Sequence, residues 1–377
     1  VFNGSNLRLA RLYHELSLEQ VAERVGKTRQ YIQRLESGYA LPTKELTNEL
    51  ACVLFVLPDF FYNNEQSPVN EEIVHFRKRS ATRVATKLAT LAKAELYRRL
   101  IDVFEENLNL PPVRFPEIKV YTQEDIEKAA EKCRIDWGLG FGPIDNMTRL
   151  AEKLGAFVTS FDSVSDDVDA LSVPLERPFI VRNTAKKSPC RQRFDIAHEV
   201  GHLIFHGGIS TGDRITESQA NRFASALLLP RSAMAKYFPK PIGGRIDWKG
   251  LSQFKLTWKV SKAAIIYRAH QLSLLTDAQY KTAFFGLKRK GEAIDEKEDC
   301  LISHEKPELF YNAMDVLLNN VYSDIESLSK RLNILPEMLR ELINEKYSEK
   351  ILFKSQSKSN LNHDNVISLS SYRLACS

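Results

Sequence analysis

The stretch Arg193 to His206, RFDIAHEVGHLIFH, decides how the rest of the chain is read. It holds His198, Glu199 and His202 in the order H-E-x-x-H, among apolar and small residues of the kind a buried helix carries. Residues four apart share one helix face, so both imidazoles can reach a single metal ion while Glu199 points beside it. Two ligands plus a base make the arrangement of a zinc hydrolase. So short a pattern also arises by chance, and its surroundings have to support it.

A catalytic zinc generally takes three protein ligands plus a water, so one more donor is required. Metzincin spacing is excluded: Phe205 stands at the glycine position and Gly208 at that of the third histidine. Thr216 to Pro230, TESQANRFASALLLP, instead reads as a second amphipathic helix. A T-x-x-Q capping box opens it, Ala220, Phe223, Ala224, Leu227 and Leu228 share one face, and proline ends it. Glu217, in the first turn, borders that face and can project toward the first helix, which favours it as the third ligand. Asp213 and His206 are the competing donors.

Ahead of the motif, Ile144 to Leu154 has helical spacing and AFVTSFD alternates as a strand. DALSVPLE and RPFIVRN are two further β-type runs around a turn at Glu176 to Pro178. An antiparallel edge beside a metal-bearing helix is a place where an extended peptide can add as a strand; a sheet that merely packs under the helix is the plainer alternative.

RQRFDIAHEVGHLIFHG followed by ESQANRFASALLLP closely resembles the ImmA/IrrE family of zinc metallopeptidases. The resemblance implies that His198, His202 and Glu217 hold one Zn2+ per chain and that Glu199 is the general base. Asp195 replaces a threonine common in the family and becomes a candidate partner of the ligands, while His206 and Asn221 fit the pattern as orienting residues. In such a site zinc lowers the pKa of its water to about 7, and Glu199 carries the proton to the leaving amine. A purely structural zinc would not need Glu199.

Toward the N-terminus, Leu9, Leu12 and Leu16, then Leu18, Val21, Ala22 and Val25, recur at helical spacing around Ser17, an N-cap with Gln20 three positions on. Gly26 ends the second helix, and Thr28 caps a third that turns Arg29, Gln30, Tyr31, Gln33 and Arg34 outward with Ile32 and Leu35 inward. That is what a helix-turn-helix needs to present a helix to the major groove; a five-helix structural module with a polar face is the alternative. SLEQVAERVGKTRQYIQRLESGYALPT resembles the Cro/cI-type (XRE) domain of phage repressors. The resemblance implies a double-stranded DNA operator and a homodimer, with Arg29, Gln30 and Gln33 reading bases. Gln20, Arg34 and Lys44 hold the backbone, and Thr28 stands at the start of the reading helix. Six acidic residues there, Glu15 to Glu49, offset the basic ones, so one copy is expected to bind weakly.

From Val74, VHFRKRSATRVATKLATLAKAELYRRL is expected to form one long helix with Arg77, Lys78, Arg79, Arg83, Lys87 and Lys93 on its exposed side, either touching phosphates or simply solvated. Asp125 to Trp137, Trp248 to His270 and Asp277 to Leu287 read as further helices. DIESLSKRLNILPEMLREL reads as two short helices joined near Asn333, a packing or partner-sensing element, since no Arg/Gln-rich face follows.

The 377 residues, 43% hydrophobic, suffice for several cores. A charge of +5 argues nothing about DNA by itself. Five dispersed cysteines with no C-x-x-C exclude a disulfide framework and a cysteine zinc site. No apolar run is long enough for a membrane span and the first residues are too charged for a signal peptide, so a cytoplasmic location is expected. The expected fold is multidomain and mainly α. It comprises a five-helix DNA-binding domain (1–66), a basic helical connector (67–130) and a zincin-like α+β metallopeptidase domain with a small antiparallel sheet (131–287). A helical C-terminal domain (288–350) and a disordered tail (351–377) follow. The function expected is a DNA-binding regulatory endopeptidase that cleaves a helix-turn-helix repressor, or itself in the connector, in a stress or mobile-element response. The alternatives are a regulator whose zinc domain senses a signal or holds a partner, and a toxin-antitoxin or phage-defence component.

Overall fold

The computed structural model describes residues 1–63, 75–78, 84–161, 168–183, 187–209, 211–343 and 367–368. Helices α1 (Gly4–Tyr13), α2 (Leu18–Arg24), α3 (Arg29–Glu36) and α4 (Lys44–Val53), with a 3-10 turn at Pro58–Tyr62, make the N-terminal unit. Side chains of Asn3, Ser17, Thr28 and Thr43 cap the four helix starts, satisfying amides that the helix itself leaves open. Gly26 adopts φ +60°, and Lys27 N returns to Ala22 O at 2.9 Å, so α2 stops in a left-handed turn and α3 packs across it.

The chain continues as β1 (His75–Lys78), α5 (Val84–Asn107), β2 (Leu108–Asn109), α6 (Gln123–Asp136) and α7 (Met147–Lys153). Strands β3 (Phe157–Phe161), β4 (Val168–Val173) and β5 (Phe179–Asn183) lead into α8 (Pro189–Phe205) and α9 (Arg214–Leu228). The sheet order is β1-β4-β5-β3, with β4 antiparallel to β1 and β5, and β3 parallel to β5. The sheet is therefore mixed and not antiparallel throughout. Side-chain alternation is the same in both kinds of pairing, and only the connections set direction. The β4–β5 hairpin turns back at once, whereas β3 joins from the far side of β5.

The sheet separates two cores. Phe157, Leu171, Val173, Phe179 and Val181 join the core shared by the N-terminal unit, α5 and the C-terminal helices. Val158 and Ile180 face the other core, with Ile196, Ala197 and Val200 of α8 and Phe223 and Leu227 of α9. α10 (Arg231–Tyr237), α11 (Trp248–Trp258), α12 (Lys262–Gln271) and α13 (Asp277–Arg289) complete that second layer. The stretch from Trp248 to His270, expected to be helical, forms two helices, with a break where Lys259 takes φ +53°.

The basic segment also departs from expectation. Residues 75–78 are strand, the helix begins only at Val84, and Arg79 and Arg83 lie outside the described residues. Arg77 and Lys78 thus belong to a strand and not to an exposed helix face. α5 is a core helix: Leu96, Tyr97, Leu100 and Phe104 are buried, while Lys87 and Lys93 are half-buried. α1 and the later helices Leu309–Asn320 and Pro336–Leu342 all pack on it, and sequence periodicity does not reveal how many partners will share a helix. Its charges are matched locally, Arg99 Nε lying 3.0 Å from Glu95 and Arg98 2.6 Å from Asp102.

The last helices are α14 (Leu309–Asn320), α15 (Ile325–Arg331) and α16 (Pro336–Leu342). α15 and α16 join at Asn333, which takes φ +57°. This pair docks on the N-terminal unit: Leu57 N donates to Asn333 O and Leu335 N to Phe55 O, each at 2.9 Å. Residues of the tail other than Ile367–Ser368, a strand β6 pairing with β2, lie outside the described residues. No described helix is long and apolar enough to cross a membrane.

Candidate metal centre

α8 is anchored at its start by Arg193, which donates to Ile144 O at 2.6 Å and Asp145 O at 3.0 Å and pairs with Glu305. Glu305 in turn accepts from Met147 N at 3.0 Å and Thr148 N at 2.8 Å, tying α8 to the start of α7. α9 is capped by Asp213, whose Oδ1 accepts from Ile215 N at 2.7 Å and Thr216 N at 3.2 Å. The helix therefore opens one turn earlier than the expected Thr216 box, and Asp213 spends its carboxylate on the cap instead of on the metal site.

α8 and α9 cross at Gly201. A Cβ there would lie 3.1 Å from Phe223 Cδ1 and 3.2 Å from Ala220 Cα, so this glycine permits the close approach. Ala220 is one turn beyond Glu217, and bringing its backbone against α8 delivers the Glu217 carboxylate to the imidazoles.

There the donors converge. His198 Nε2 and His202 Nε2 are 3.0 Å apart, with Glu217 Oε2 3.4 Å from the first and Glu217 Oε1 3.3 Å from the second. Tetrahedral zinc with bonds of about 2.0–2.1 Å needs donors about 3.3 Å apart, so the triangle has the edge length the ion requires. Glu217 Oε1 is buried and no well-formed hydrogen bond reaches it among the described residues, as suits an atom awaiting a cation.

The outer ring nitrogens are oriented too. His198 Nδ1 lies 3.1 Å from Asn221 Oδ1, and His206 Nε2 lies 2.8 Å from Gln219 Oε1. With those amide oxygens facing the rings, each facing nitrogen carries the proton. His206 Nδ1 is then a lone pair, 2.9 Å from His202 Nδ1, which donates to it. Both metal-facing Nε2 atoms are left with lone pairs. Burial keeps the His206 ring below the usual imidazole range, against the Gln219 hydrogen bond.

Glu199 is fully buried on the same helix, and its Oε2 accepts from Ser172 Oγ at 2.6 Å. Ser172 sits on β4, and sequence reasoning missed it, because a lone serine in a short strand carries no signal until the register is known. Gln219 was read only as the far member of the T-x-x-Q capping box, and its contact with His206 was missed. Asp195 is buried on α8 one turn before His198. Beside Glu217 opens a cavity of about 670 Å³ bordered by Tyr121, Gln123, Arg214, Arg222 and Tyr267.

In the N-terminal unit Gln20, Thr28, Arg29, Gln30, Gln33, Arg34 and Lys44 are all exposed. Gln20 and Thr28 have a second task. Gln20 Oε1 accepts from Ser17 N at 2.8 Å, and Thr28 Oγ1 accepts from Tyr31 N at 3.2 Å, fixing the starts of the two helices.

Comparison with known families agrees with both units. Residues 151–270 match the peptidase family described as IrrE N-terminal-like domain, and residues 7–61 match the family described as helix-turn-helix. The chain thus joins a helix-turn-helix domain of the XRE type to a metallopeptidase-type domain. No curated protein matches it.

Proposed function

We propose that the chain is a DNA-binding regulatory zinc endopeptidase, with a reader in residues 1–66 and a cutter in residues 131–287. The observation that carries this reading is the triangle of His198, His202 and Glu217 donors with Glu199 beside it on the same helix. Those three residues would hold the ion. When bound, zinc supplies the positive charge that acidifies water and polarises a carbonyl. Glu199, steadied by Ser172, takes the proton of the attacking water and returns it to the departing amine. Asn221, His206 and Gln219 keep the imidazole lone pairs turned inward.

The substrate in this reading is a helix-turn-helix repressor reached through a shared operator, or the chain itself, and the setting is a stress, DNA-damage or mobile-element response. The test is comparative proteomics of cells expressing the wild type or Glu199→Gln. A shortened repressor, or a shortened form of this chain, seen with the wild type alone supports it. Identical proteomes would favour a regulator whose metal domain only senses or binds.

A further inference from the structure

The sheet places a strand from outside the cutter at the edge nearest the catalytic residues. β4 packs on α8, and its Ser172 holds Glu199, so the outer edge of β4 borders the metal centre. β5 and β3 lie on its inner side. The outer side is taken by β1, which comes from the segment between the N-terminal unit and α5. It runs antiparallel, with His75 at the register position of Ser172, Phe76 at that of Leu171, and Lys78 at that of Val168.

We propose that the outer edge of β4 is the peptide-binding edge of this site and that β1 is its resident blocking strand, so another chain binds only after β1 leaves. This rests on the peptidase reading above. An edge strand offers one row of amides and carbonyls, and an extended peptide binds such an edge by completing the ladder. β1 completes it first. It is nevertheless a weak occupant: it is four residues long, and its register slips between Phe76 and Lys78, which breaks the ladder locally. A short, irregular strand excludes casual peptides yet can be displaced. In chain order β1 is the first described element after the DNA-reading unit.

The test uses two full-length variants. In one, His75→Gly, Phe76→Ser, Arg77→Gly and Lys78→Ser are combined; in the other, Phe76→Pro alone disrupts pairing. The first readout is amide hydrogen exchange in residues 168–173, expected to be at least ~10-fold faster in both variants, with α8 amides unchanged as the folding control. The second is binding of a labelled synthetic peptide, IVHFRKRS (residues 73–80), in a Glu199→Gln background where nothing is cut. Its affinity is expected to rise at least ~10-fold in the variants, because a site open only a fraction of the time binds weaker by that fraction. Should the fourfold variant unfold, Phe76→Pro decides alone. Unchanged exchange in β4 would overturn the proposal, as would faster exchange without tighter peptide binding. Self-cleavage of the zinc-loaded wild type within residues 75–78 would also overturn it, making β1 a substrate. Failure of the peptidase reading shows separately, as identical proteomes for the wild type and Glu199→Gln, while exchange and binding report on the edge regardless.

Discussion

His206 and His202 meet through their Nδ1 atoms at 2.9 Å, and the far nitrogen of His206 rests 2.8 Å from Gln219 Oε1. The relay sets the tautomer of His202 from a residue that contributes no ligand atom itself. Removing it in His206→Ala is expected to lower zinc affinity ~10- to 100-fold, the usual cost of losing such a partner, with helix content retained. Competition against a chromophoric chelator measures this; unchanged affinity would mean that the ring merely fills space.

Ser172→Ala removes the hydroxyl from Glu199 without touching a metal donor. Hydrogen bonds to charged groups contribute about 1.5–3 kcal/mol, so kcat should fall at least ~10-fold while zinc content stays the same. Ser172→Thr, which keeps a hydroxyl, should recover part of the rate. Equal rates for Ser172→Ala and the wild type would show that Glu199 is placed by its helix alone.

Glu152 Oε1 accepts from Glu308 N at 2.8 Å and Leu309 N at 3.0 Å, linking α7 to the start of α14. Burial lifts its carboxyl from 4.5 to about 7, against the hydrogen bonds that stabilise the charge. Between those values the folded chain holds a proton that the unfolded chain has released, so stability falls as pH rises through this window and is not affected by this group below 4.5. Glu152→Gln should therefore raise Tm near pH 8 and give no gain near pH 4. Thermal melts across that range check it, and a parallel loss of Tm at both ends would contradict it.

On the reading face, Arg29→Ala should cost about 1–3 kcal/mol of operator binding and relax specificity at one base position. Lys44→Ala should weaken all sequences alike and lower the slope of log affinity against log salt by about 1. Fluorescence anisotropy at several salt concentrations separates the two. A uniform loss for Arg29→Ala would make it a phosphate contact instead.

What the chain reveals before folding follows the range of each signal. His198, Glu199 and His202 are legible because one turn of helix sets their relation, and Glu217 because it opens a helix whose buried face is plain. The start of α9 was misplaced because Asp213 and Thr216 both qualify as caps, and only the observed amide directions choose between them. Ser172, Gln219 and the pairing of His75 with Ser172 depend on tertiary register, which no local pattern encodes. The four residues of β1 look helical because a basic run continues into a real helix at Val84. The burial of α5 was hidden for a similar reason, since its polar positions turn out to be paired within the core and not solvated.

The central claim is that metal binding and proton transfer are carried by different residues, His198, His202 and Glu217 for the first and Glu199 for the second. Its most direct test is to count zinc per purified chain and new protein N-termini in a cell lysate, for the wild type and Glu199→Gln side by side. The expected result is one zinc in each, with cleavage reduced at least ~100-fold in the variant, as for a lost acid-base group. Loss of zinc in Glu199→Gln, or undiminished cleavage, would contradict it.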